Sequence, residues 1–419
     1  MKILSLSSYI ARTSAAKVLH AENKRYAKHG HEAKVLSYLD IYDNAEYEVV
    51  KLSRQSKLLD ILWHRLFNPF LPGIYKPTQS ELLRRVQDYD PDIILVHWIH
   101  RNDALYIPLQ ALKRMATIAH IFLILHDLWF ITGRCYYPDD CERLITGCGH
   151  CPQFNSFRDI KIDVTSHLCK LKVKYYDNIK PIFIASSKWS QNLALTGSPF
   201  SKFDVKHVPR GINTEIFHKM DKNMAKKILG IPHDKKVILV SARNMLSPRK
   251  GTQYAVRTLN ELWTRHPDIC QSTVLVTLGR SADQLFENQP FPRITIGQLE
   301  YDSLMALCYS ASDVFLNTSL GETFGLMTAE AMACGVPVVA FDNTAMPELV
   351  KHLETGYLCR NRNIDDMTDG LYHILSDVTL QEKLSNNCCL LIKEKHDIEL
   401  QVKNYLKLFE AVLEKKSTY

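Results

Sequence analysis

Short apolar runs of strand length alternate with amphipathic segments of helix length along the whole sequence. In the first half this pattern predicts strands at residues 2–6, 33–37, 93–97, 121–125 and 182–185, and a helix at 15–29. In the second half it predicts strands at 237–241, 273–278, 314–317 and 338–341, with helices at 252–265, 303–310 and 324–333. Strands that alternate with helices form parallel sheets covered by helices on both faces. The sequence therefore predicts an α/β fold.

The series of strands restarts near residue 205, and a chain of 419 residues is about the right length for two α/β domains. Pro209 and Gly211 punctuate the stretch 208–213, which is the best candidate for a hinge. We predict domains at 1–205 and 206–390, and a C-terminal helical segment, 391–419, that packs back on the first domain.

Composition is that of a folded globular protein, with 46% hydrophobic and 23% charged residues. No run approaches the roughly 18 apolar residues of a membrane span, and the short apolar start is typical of a first strand rather than a signal peptide. We therefore expect a cytoplasmic protein.

The net charge of +7 favours anionic partners such as nucleotide phosphates or lipid head groups. Without an arginine-rich tract or an RNA-binding aromatic signature, nucleic acid is not an expected partner.

The most informative segment runs from a strand ending at Asn317, through a glycine-containing loop, into a helix predicted to begin at Phe324. Open α/β sheets bind ligands at the carboxyl ends of their strands, and a helix N-terminus offers unpaired amides to a phosphate. Glu322 precedes this helix and Glu330 lies about two turns inside it. Carboxylates at such positions can accept hydrogen bonds from sugar hydroxyls. The alternative is a solvated loop glutamate and a helix-surface glutamate.

This segment resembles the retaining glycosyltransferases of family 4, which have the GT-B fold, two Rossmann-like domains facing across a cleft, and carry a Glu, seven residues, Glu signature. The likeness extends through the run Glu-Ala-Met-Ala-Cys-Gly-Val-Pro-Val-Val and includes residues 312–314 and Gly297. It implies that Glu322 holds hydroxyls of the donor hexose and that Glu330 holds the nucleotide ribose. The implied contacts to the diphosphate and the base come from Thr323, Phe324, Gly325, Leu326 and Gly297. The first domain would bind the acceptor and the second the nucleotide sugar.

Basic residues follow the first strand of the second half, where the family places an arginine and a lysine. Here these are Arg243 and Lys250, with Arg249 as a competitor for either position. Cations at the carboxyl end of a strand can neutralise charge that grows on a departing diphosphate. Solvated basic loop residues are the alternative.

His126 directly follows the predicted strand 121–125, which places its imidazole at the ligand-binding edge of the first sheet. The resemblance assigns it a contact with the donor sugar near the reacting carbon. His97 and Trp98 end another strand. They either line the acceptor side or cap a core strand.

Four of the eleven cysteines, Cys135, Cys141, Cys148 and Cys151, fall within seventeen residues, and the last two form a Cys-x-x-Cys knuckle. This spacing suits tetrahedral thiolate ligation of a structural zinc ion. Free thiols and, in a reducing compartment, the less favoured disulfides are the alternatives. The cluster and the residues that lead into it from His126 also resemble family 4 enzymes of bacterial exopolysaccharide synthesis, including colanic acid synthesis.

No catalytic metal is expected. Asp88 and Asp90 resemble the paired aspartates that hold manganese in another glycosyltransferase fold, but Pro91 and a strand follow them. We interpret them as a turn between a helix and a strand.

An aromatic and aliphatic stretch at 58–75 has basic neighbours and suits binding to anionic lipid at the inner face of the plasma membrane, although a packed helix and loop explain it equally well. We expect a metal-independent hexosyltransferase. It would move a sugar from a UDP- or GDP-sugar to a lipid-linked glycan or oligosaccharide in capsule, exopolysaccharide or lipopolysaccharide synthesis. The alternatives are a sugar-nucleotide epimerase of the same fold and a non-catalytic assembly subunit.

Overall fold

The structure is a computed structural model of the chain, and it describes residues 1–10, 14–40, 49–51, 79–101, 104–105, 107–156, 162–196 and 198–417. The chain divides into two units. The first comprises Met1–Val208 together with Gln401–Tyr419, and the second comprises Pro209–Leu400. The stretch 58–75, in which the sequence indicates a lipid-binding surface, lies outside the described residues.

The first unit is built on a seven-stranded sheet with the order β3-β2-β1-β4-β7-β8-β9, in which every pairing is parallel. Its strands are β1 (Lys2–Ile10), β2 (Glu32–Asp40), β3 (Val49–Lys51), β4 (Ile93–Trp98), β7 (His120–Leu125), β8 (Ile182–Ala185) and β9 (Asp204–His207). Two further short strands, β5 (His100–Arg101) and β6 (Ala104–Leu105), form an antiparallel pair. The described helices of the unit are α1 (Ser14–Lys28), α2 (Gln79–Tyr89), α3 (Leu109–Met115), α4 (Thr165–Ile179) and α5 (Lys188–Leu195).

Apolar residues cover both faces of this sheet because successive side chains of a strand point to opposite sides. Ile94 and Val96 of β4 pack in a core with α2, α3 and α4. Their neighbours Ile93 and Leu95 pack in a second core with the last helix, α15 (Ile398–Ser417). The last helix is thus part of the first unit from Gln401 onward.

The second unit is built on a six-stranded sheet with the order β12-β11-β10-β13-β14-β15, again parallel throughout. Its strands are β10 (Lys236–Asn244), β11 (Thr273–Arg280), β12 (Arg293–Thr295), β13 (Val314–Asn317), β14 (Val338–Phe341) and β15 (Gly356–Cys359). Its helices are α6 (Lys222–Ile228), α7 (Thr252–Arg265), α8 (Pro267–Gln271), α9 (Ala282–Leu285), α10 (Asp302–Ser310), α11 (Leu326–Ala333), α12 (Met346–Leu349), α13 (Ile364–Ser376) and α14 (Val378–Lys395). Here too, alternate strand residues enter two separate cores, one on each face.

Helix α11 begins at Leu326, two residues later than the sequence predicts. Gly325 occupies the N-cap with a φ of 96°, in the left-handed region that glycine adopts without strain. A Cβ at this position would lie 2.2 Å from Cε of Met346. The chain therefore turns sharply at Gly325, and this turn is visible only as a lone glycine in the sequence.

The central strands β13 and β14 have the predicted bounds, and so does helix α7. The edge strands β9, β12 and β15 have three or four residues each and were not predicted. A run of three or four residues is too short to show a clear apolar periodicity, so the sequence gives no signal for these strands. None of the helices in the described ranges is long and apolar enough to cross a membrane.

Candidate functional site

Two loops of the second unit, which follow the neighbouring strands β10 and β13, are joined at the carboxyl edge of the sheet. The backbone amide of Leu320 donates to the carbonyl of Arg249 over 2.7 Å, and the Thr318 hydroxyl donates to the carbonyl of Lys250 over 3.0 Å. Gly251 allows this approach, because a Cβ there would lie 2.2 Å from the Thr318 carbonyl oxygen. The two loops thus hold one another in a fixed arrangement.

The Glu322 carboxylate is paired with two cations from the facing loop. Lys250 Nζ lies 2.5 Å from Glu322 Oε1, and Arg249 Nη1 lies 3.0 Å from the same oxygen. The backbone amide of Glu322 donates to the Thr344 hydroxyl over 3.0 Å, which fixes the main chain as well. The side chain of Glu322 is only 12% exposed, so this is a largely desolvated charge cluster.

The two cations decide the ionisation of Glu322. Burial by itself raises the pKa of this carboxyl, but Lys250 and Arg249 outweigh burial and lower the pKa to about 2. Burial likewise lowers the pKa of Lys250, while Glu322 opposes that shift. The site therefore holds a permanent carboxylate, which can accept hydrogen bonds from hydroxyl groups.

Glu330 lies in helix α11 and is 9% exposed. The hydroxyl of Tyr309, from helix α10, donates to Glu330 Oε2 over 3.3 Å. Burial and the neighbouring Glu330 raise the pKa of Tyr309 well above its ordinary value, so the phenol stays protonated and remains a donor. Sequence reasoning missed Tyr309, whose only signal was an aromatic residue in an apolar helix.

The start of helix α11 offers backbone groups rather than side chains. Gly325 has no side chain with which to cap the helix, and no acidic residue lies in its first turn. Thr323 and Phe324 are buried, and the Phe324 ring packs 5.3 Å from the ring of His396. Leu326 packs on the apolar core. The predicted phosphate contacts of Phe324, Gly325 and Leu326 are thus available only through the main chain, whereas Thr323 also carries a hydroxyl.

Gly297 lies two residues beyond β12, at the same carboxyl edge of the sheet. It has a φ of 52°, and its carbonyl accepts a hydrogen bond from the amide of Gly279 over 2.6 Å. A Cβ at Gly297 would meet no atom within 4 Å. The space beside this glycine is therefore open to a ligand as far as the second unit is concerned.

The structure separates the two cations that the sequence singled out. Lys250 is in the Glu322 cluster, but Arg243, near the end of β10, is exposed. The second cation of the cluster is Arg249, which the sequence presented only as a competitor. Arg249 and Lys250 share one 3₁₀ turn, Pro248–Lys250, and that turn brings both to the same carboxylate.

In the first unit, His126 follows β7 and His97 lies in the neighbouring strand β4. Nδ1 of His97 and Nε2 of His126 are 2.8 Å apart, a hydrogen bond in which one ring donates. Trp98 stacks on His126, with ring centroids 3.9 Å apart and an interplanar angle of 16°. His97 is buried. Nothing in the sequence connects His97 with His126. In the structure they form one pair at the carboxyl edge of the sheet.

A second histidine contact stabilises the loop that follows His126. His100 Nε2 lies 3.6 Å from Asp127 Oδ1, and the same oxygen accepts the amide of Trp129 over 2.8 Å. The His100 ring packs against Trp129 and Tyr136, with centroid distances of 4.7 and 5.0 Å. Sequence reasoning missed His100.

Lys172 of helix α4 is buried beneath this loop. Its ammonium donates to the carbonyl oxygens of Trp129 and Thr132, the latter over 2.9 Å, and lies 3.3 Å from the centroid of the Trp129 ring. Burial lowers the pKa of Lys172 to about 7. A lysine in an otherwise apolar helix face was the only sequence signal for this anchor.

The four clustered cysteines form no disulfide in the part of the chain that the structure describes. Cys148 Sγ accepts a hydrogen bond from the amide of Gly133 over 3.1 Å. A further hydrogen bond from the Cys169 thiol lowers the pKa of Cys148 to about 7 and raises that of Cys169. Burial raises the pKa of Cys135 to about 12. Within the residues that the structure describes, no group of three or more His, Cys, Asp or Glu is arranged to hold a metal ion. Zinc ligation by Cys135, Cys141, Cys148 and Cys151 stays a prediction.

Solved structures share this architecture over nearly the whole chain. Sucrose-phosphate synthase of Thermosynechococcus elongatus superposes with a TM-score of 0.69 at 17% identity and covers 99% of this chain and 100% of that one. Anabaena HepE, solved in complex with UDP and glucose, gives a TM-score of 0.68 at 17% identity and covers 98% and 100%. The chain has the GT-B fold. The predicted fold class is confirmed.

Sequence comparison finds a family match that lies within the second unit. Residues 221–388 match the family described as Glycosyl transferases group 1. Over 251 residues the chain is 26% identical to an uncharacterized glycosyltransferase of Methanocaldococcus jannaschii, an alignment that covers 57% of this chain and 62% of that protein. The chain thus spans less than two thirds of the length of this relative.

Proposed function

We propose that this GT-B protein is a retaining glycosyltransferase that moves a hexose from a UDP- or GDP-sugar to a hydroxyl of a lipid-linked glycan. The observation that carries the proposal is the buried Glu322 carboxylate, ionised by Lys250 and Arg249 and placed just before the N-terminus of helix α11. A permanent acceptor beside the N-terminus of a helix suits a ligand that carries both hydroxyls and a diphosphate. The match of 221–388 to group 1 glycosyltransferases and the UDP bound by Anabaena HepE support the same donor class.

In the proposed reaction the bond between the anomeric carbon and the diphosphate oxygen breaks, and a bond to the acceptor oxygen forms. The nucleoside diphosphate leaves with the bonding electrons, and its departing oxygen takes the proton that the acceptor hydroxyl loses. Lys250, Arg243 and the amides at 323–326 stabilise the charge that grows on the diphosphate. Glu322 orients the sugar hydroxyls, and Glu330 orients the ribose. No step needs a metal ion.

His126 of the first unit is proposed to contact the donor sugar near the reacting carbon. Its hydrogen bond to His97 and its stacking on Trp98 restrict the orientation of the ring. A fixed ring can hold a hydroxyl in one geometry without losing further conformational entropy. Gly297 is proposed to lie beside the nucleotide base, where its missing side chain leaves room.

The proposed setting is bacterial surface polysaccharide synthesis at the cytoplasmic face of the membrane. This part of the proposal rests on the likeness of residues 126–151 to exopolysaccharide enzymes. A growing lipid-linked glycan would be the acceptor. A structural zinc ion held by the four clustered cysteines would stabilise the loop that follows His126.

Incubation of isotope-labelled UDP-glucose or GDP-mannose with a cell-envelope lipid extract tests the function. We expect release of the nucleoside diphosphate only when extract is present, and radiolabel in the lipid fraction. An isomerised donor without transfer would indicate an epimerase, and an unchanged donor would indicate a non-catalytic subunit. The variant Glu322→Gln should be inactive, whereas Glu382→Gln, an exposed glutamate of helix α14, should retain activity.

A further inference from the structure

We infer that Arg249 is a positioning residue for the donor sugar: it keeps Glu322 ionised and in place when Lys250 turns to the diphosphate. The inference rests on the proposed function, because it assigns separate tasks to two cations that meet on one carboxylate. Both lie within 3.0 Å of the same Glu322 oxygen. One carboxylate needs only one cation for neutrality, so the second is available to another anion.

Arg249 is the better fixed of the two. Besides its contact with Glu322, its Nη1 donates to the carbonyl of Gly321 over 2.6 Å. Its own carbonyl accepts the amide of Leu320 over 2.7 Å. Side chain and main chain of Arg249 are thus both bound to the loop that carries Glu322. A planar guanidinium bound in this way holds its partner in a defined direction.

Lys250 is the better suited to change partners. Its ammonium is a compact charge on a flexible stem. Burial already lowers its pKa, so a second anion at the site would favour its charged form. A nucleotide sugar brings two phosphate charges to the carboxyl edge of the sheet. An ammonium that is 2.5 Å from Glu322 needs only a change of rotamer to reach a neighbouring phosphate.

Without Arg249 this exchange would leave the buried Glu322 carboxylate with neither of the two cations that the described residues provide. Removing one partner of a buried ion pair is strongly destabilising, since the remaining charge stays desolvated. Arg249 prevents this loss of stability, and the Glu322 carboxylate can then accept hydrogen bonds from sugar hydroxyls. The division of tasks predicts that Arg249 matters for the sugar and Lys250 for the diphosphate.

Isothermal calorimetry separates these tasks by comparing the affinity for a nucleotide sugar with the affinity for the free nucleoside diphosphate. The pair is UDP-glucose and UDP or GDP-mannose and GDP, whichever the wild type binds. Arg249→Gln should weaken binding of the nucleotide sugar about 10-fold or more, but that of the free diphosphate less than about 3-fold. Lys250→Met should weaken both. Arg249→Lys should recover part of the sugar affinity because it keeps the charge. Arg257→Gln, an exposed arginine of helix α7, is the matched control.

A double-mutant cycle with Glu322→Gln completes the test. If Arg249 acts through Glu322, adding Arg249→Gln to Glu322→Gln should produce no further loss of sugar affinity. Additive losses would overturn the inference by showing that Arg249 acts independently of Glu322. An equal loss for diphosphate and nucleotide sugar would also overturn it and would indicate that Arg249 contacts the phosphate. Should Arg249→Gln fail to fold, the same comparison is made with Arg249→Lys. A wild type that binds none of the four nucleotides refutes the proposed function itself.

Discussion

Nδ1 of His97 lies 2.8 Å from Nε2 of His126, although 29 positions separate the two residues in the sequence. The contact exists because β4 and β7 are neighbours in the sheet and both histidines lie near the carboxyl ends of these strands. It ties the orientation of the partly buried His126 to a fully buried ring. His97 therefore restricts the orientation of the His126 ring.

We predict that His97→Leu lowers the turnover of the proposed transfer about 10-fold, the value of one lost hydrogen bond. His97→Asn should lose less, since an amide can replace Nδ1 as a partner of His126. The measurement is acceptor-dependent nucleotide release as a function of pH, with His233→Asn, an exposed histidine, as the control. Equal turnover of His97→Leu and wild type at every pH would show that the pair has no role in catalysis.

Because the Tyr309 hydroxyl donates to Glu330, we predict that removing this hydroxyl weakens recognition of the ribose. Tyr309→Phe removes the hydroxyl but keeps the buried ring, so it should weaken UDP binding about 5-fold. The preference for UDP over 2′-deoxy-UDP should shrink with it. Tyr254→Phe, whose ring packs against Phe341 in the other core of the unit, is the control. An unchanged preference would separate Glu330 from the ribose.

The lowered pKa of Glu322 predicts a pH-dependent contribution to stability. The folded-state pKa of about 2 lies below the ordinary value of 4.5, so the ion cluster stabilises the fold above pH 4.5 and loses its effect as the pH falls toward 2. Wild type should exceed Glu322→Gln by about 1–3 kcal/mol in free energy of unfolding at pH 7. This difference should decrease at pH 3 in urea unfolding. A difference that does not vary with pH would contradict the assignment, and Glu382→Gln should show none.

Zinc ligation by the cysteine cluster predicts one zinc ion per chain in native mass spectrometry. The ion should be lost from Cys148→Ser and retained by Cys270→Ser, a buried cysteine of the second unit. A wild-type mass without zinc would exclude the metal and leave free thiols.

In the metal-free chain, Cys148 should be the first of the clustered thiols to react with iodoacetamide. Its pKa of about 7 gives a large thiolate fraction at pH 8, whereas the Cys135 thiol, with a pKa of about 12, stays protonated. Peptide mapping after brief labelling measures this order. Labelling of Cys135 ahead of Cys148 would refute the hydrogen bond between Cys148 and Cys169.

We predict that shortening a buried side chain of helix α15 causes a large loss of stability. Phe409 is fully buried and packs on Phe122 of β7 with ring centroids 5.0 Å apart. Phe409→Ala should destabilise the first unit by about 3–5 kcal/mol, measured by urea unfolding. Leu400→Ala, a change at a 37% exposed position of the same helix, should have a small effect. A loss for Phe409→Ala as small as that for Leu400→Ala would show that the helix contributes little to the core.

The sequence by itself determined the strands and helices of the buried sheets, because their apolar periodicity is a local property. It also determined the candidate carboxylates, since Glu322 and Glu330 belong to one short segment whose order of strand, loop and helix is fixed by Asn317 and Gly325. The edge strands and the start of helix α11 escaped prediction, because a strand of three or four residues and a glycine turn leave no periodic signal.

Only the tertiary structure decided which side chains meet. Lys250 and Glu322 are 72 positions apart, and the choice of Arg249 over Arg243 as the second cation depends on how a single 3₁₀ turn faces the neighbouring loop. The pairing of His97 with His126 and the burial of Lys172 beneath Trp129 likewise depend on parallel crossovers that bring distant strand ends together. Sequence spacing carries no record of such contacts, since strand order and side-chain rotamers are set by packing of the whole unit.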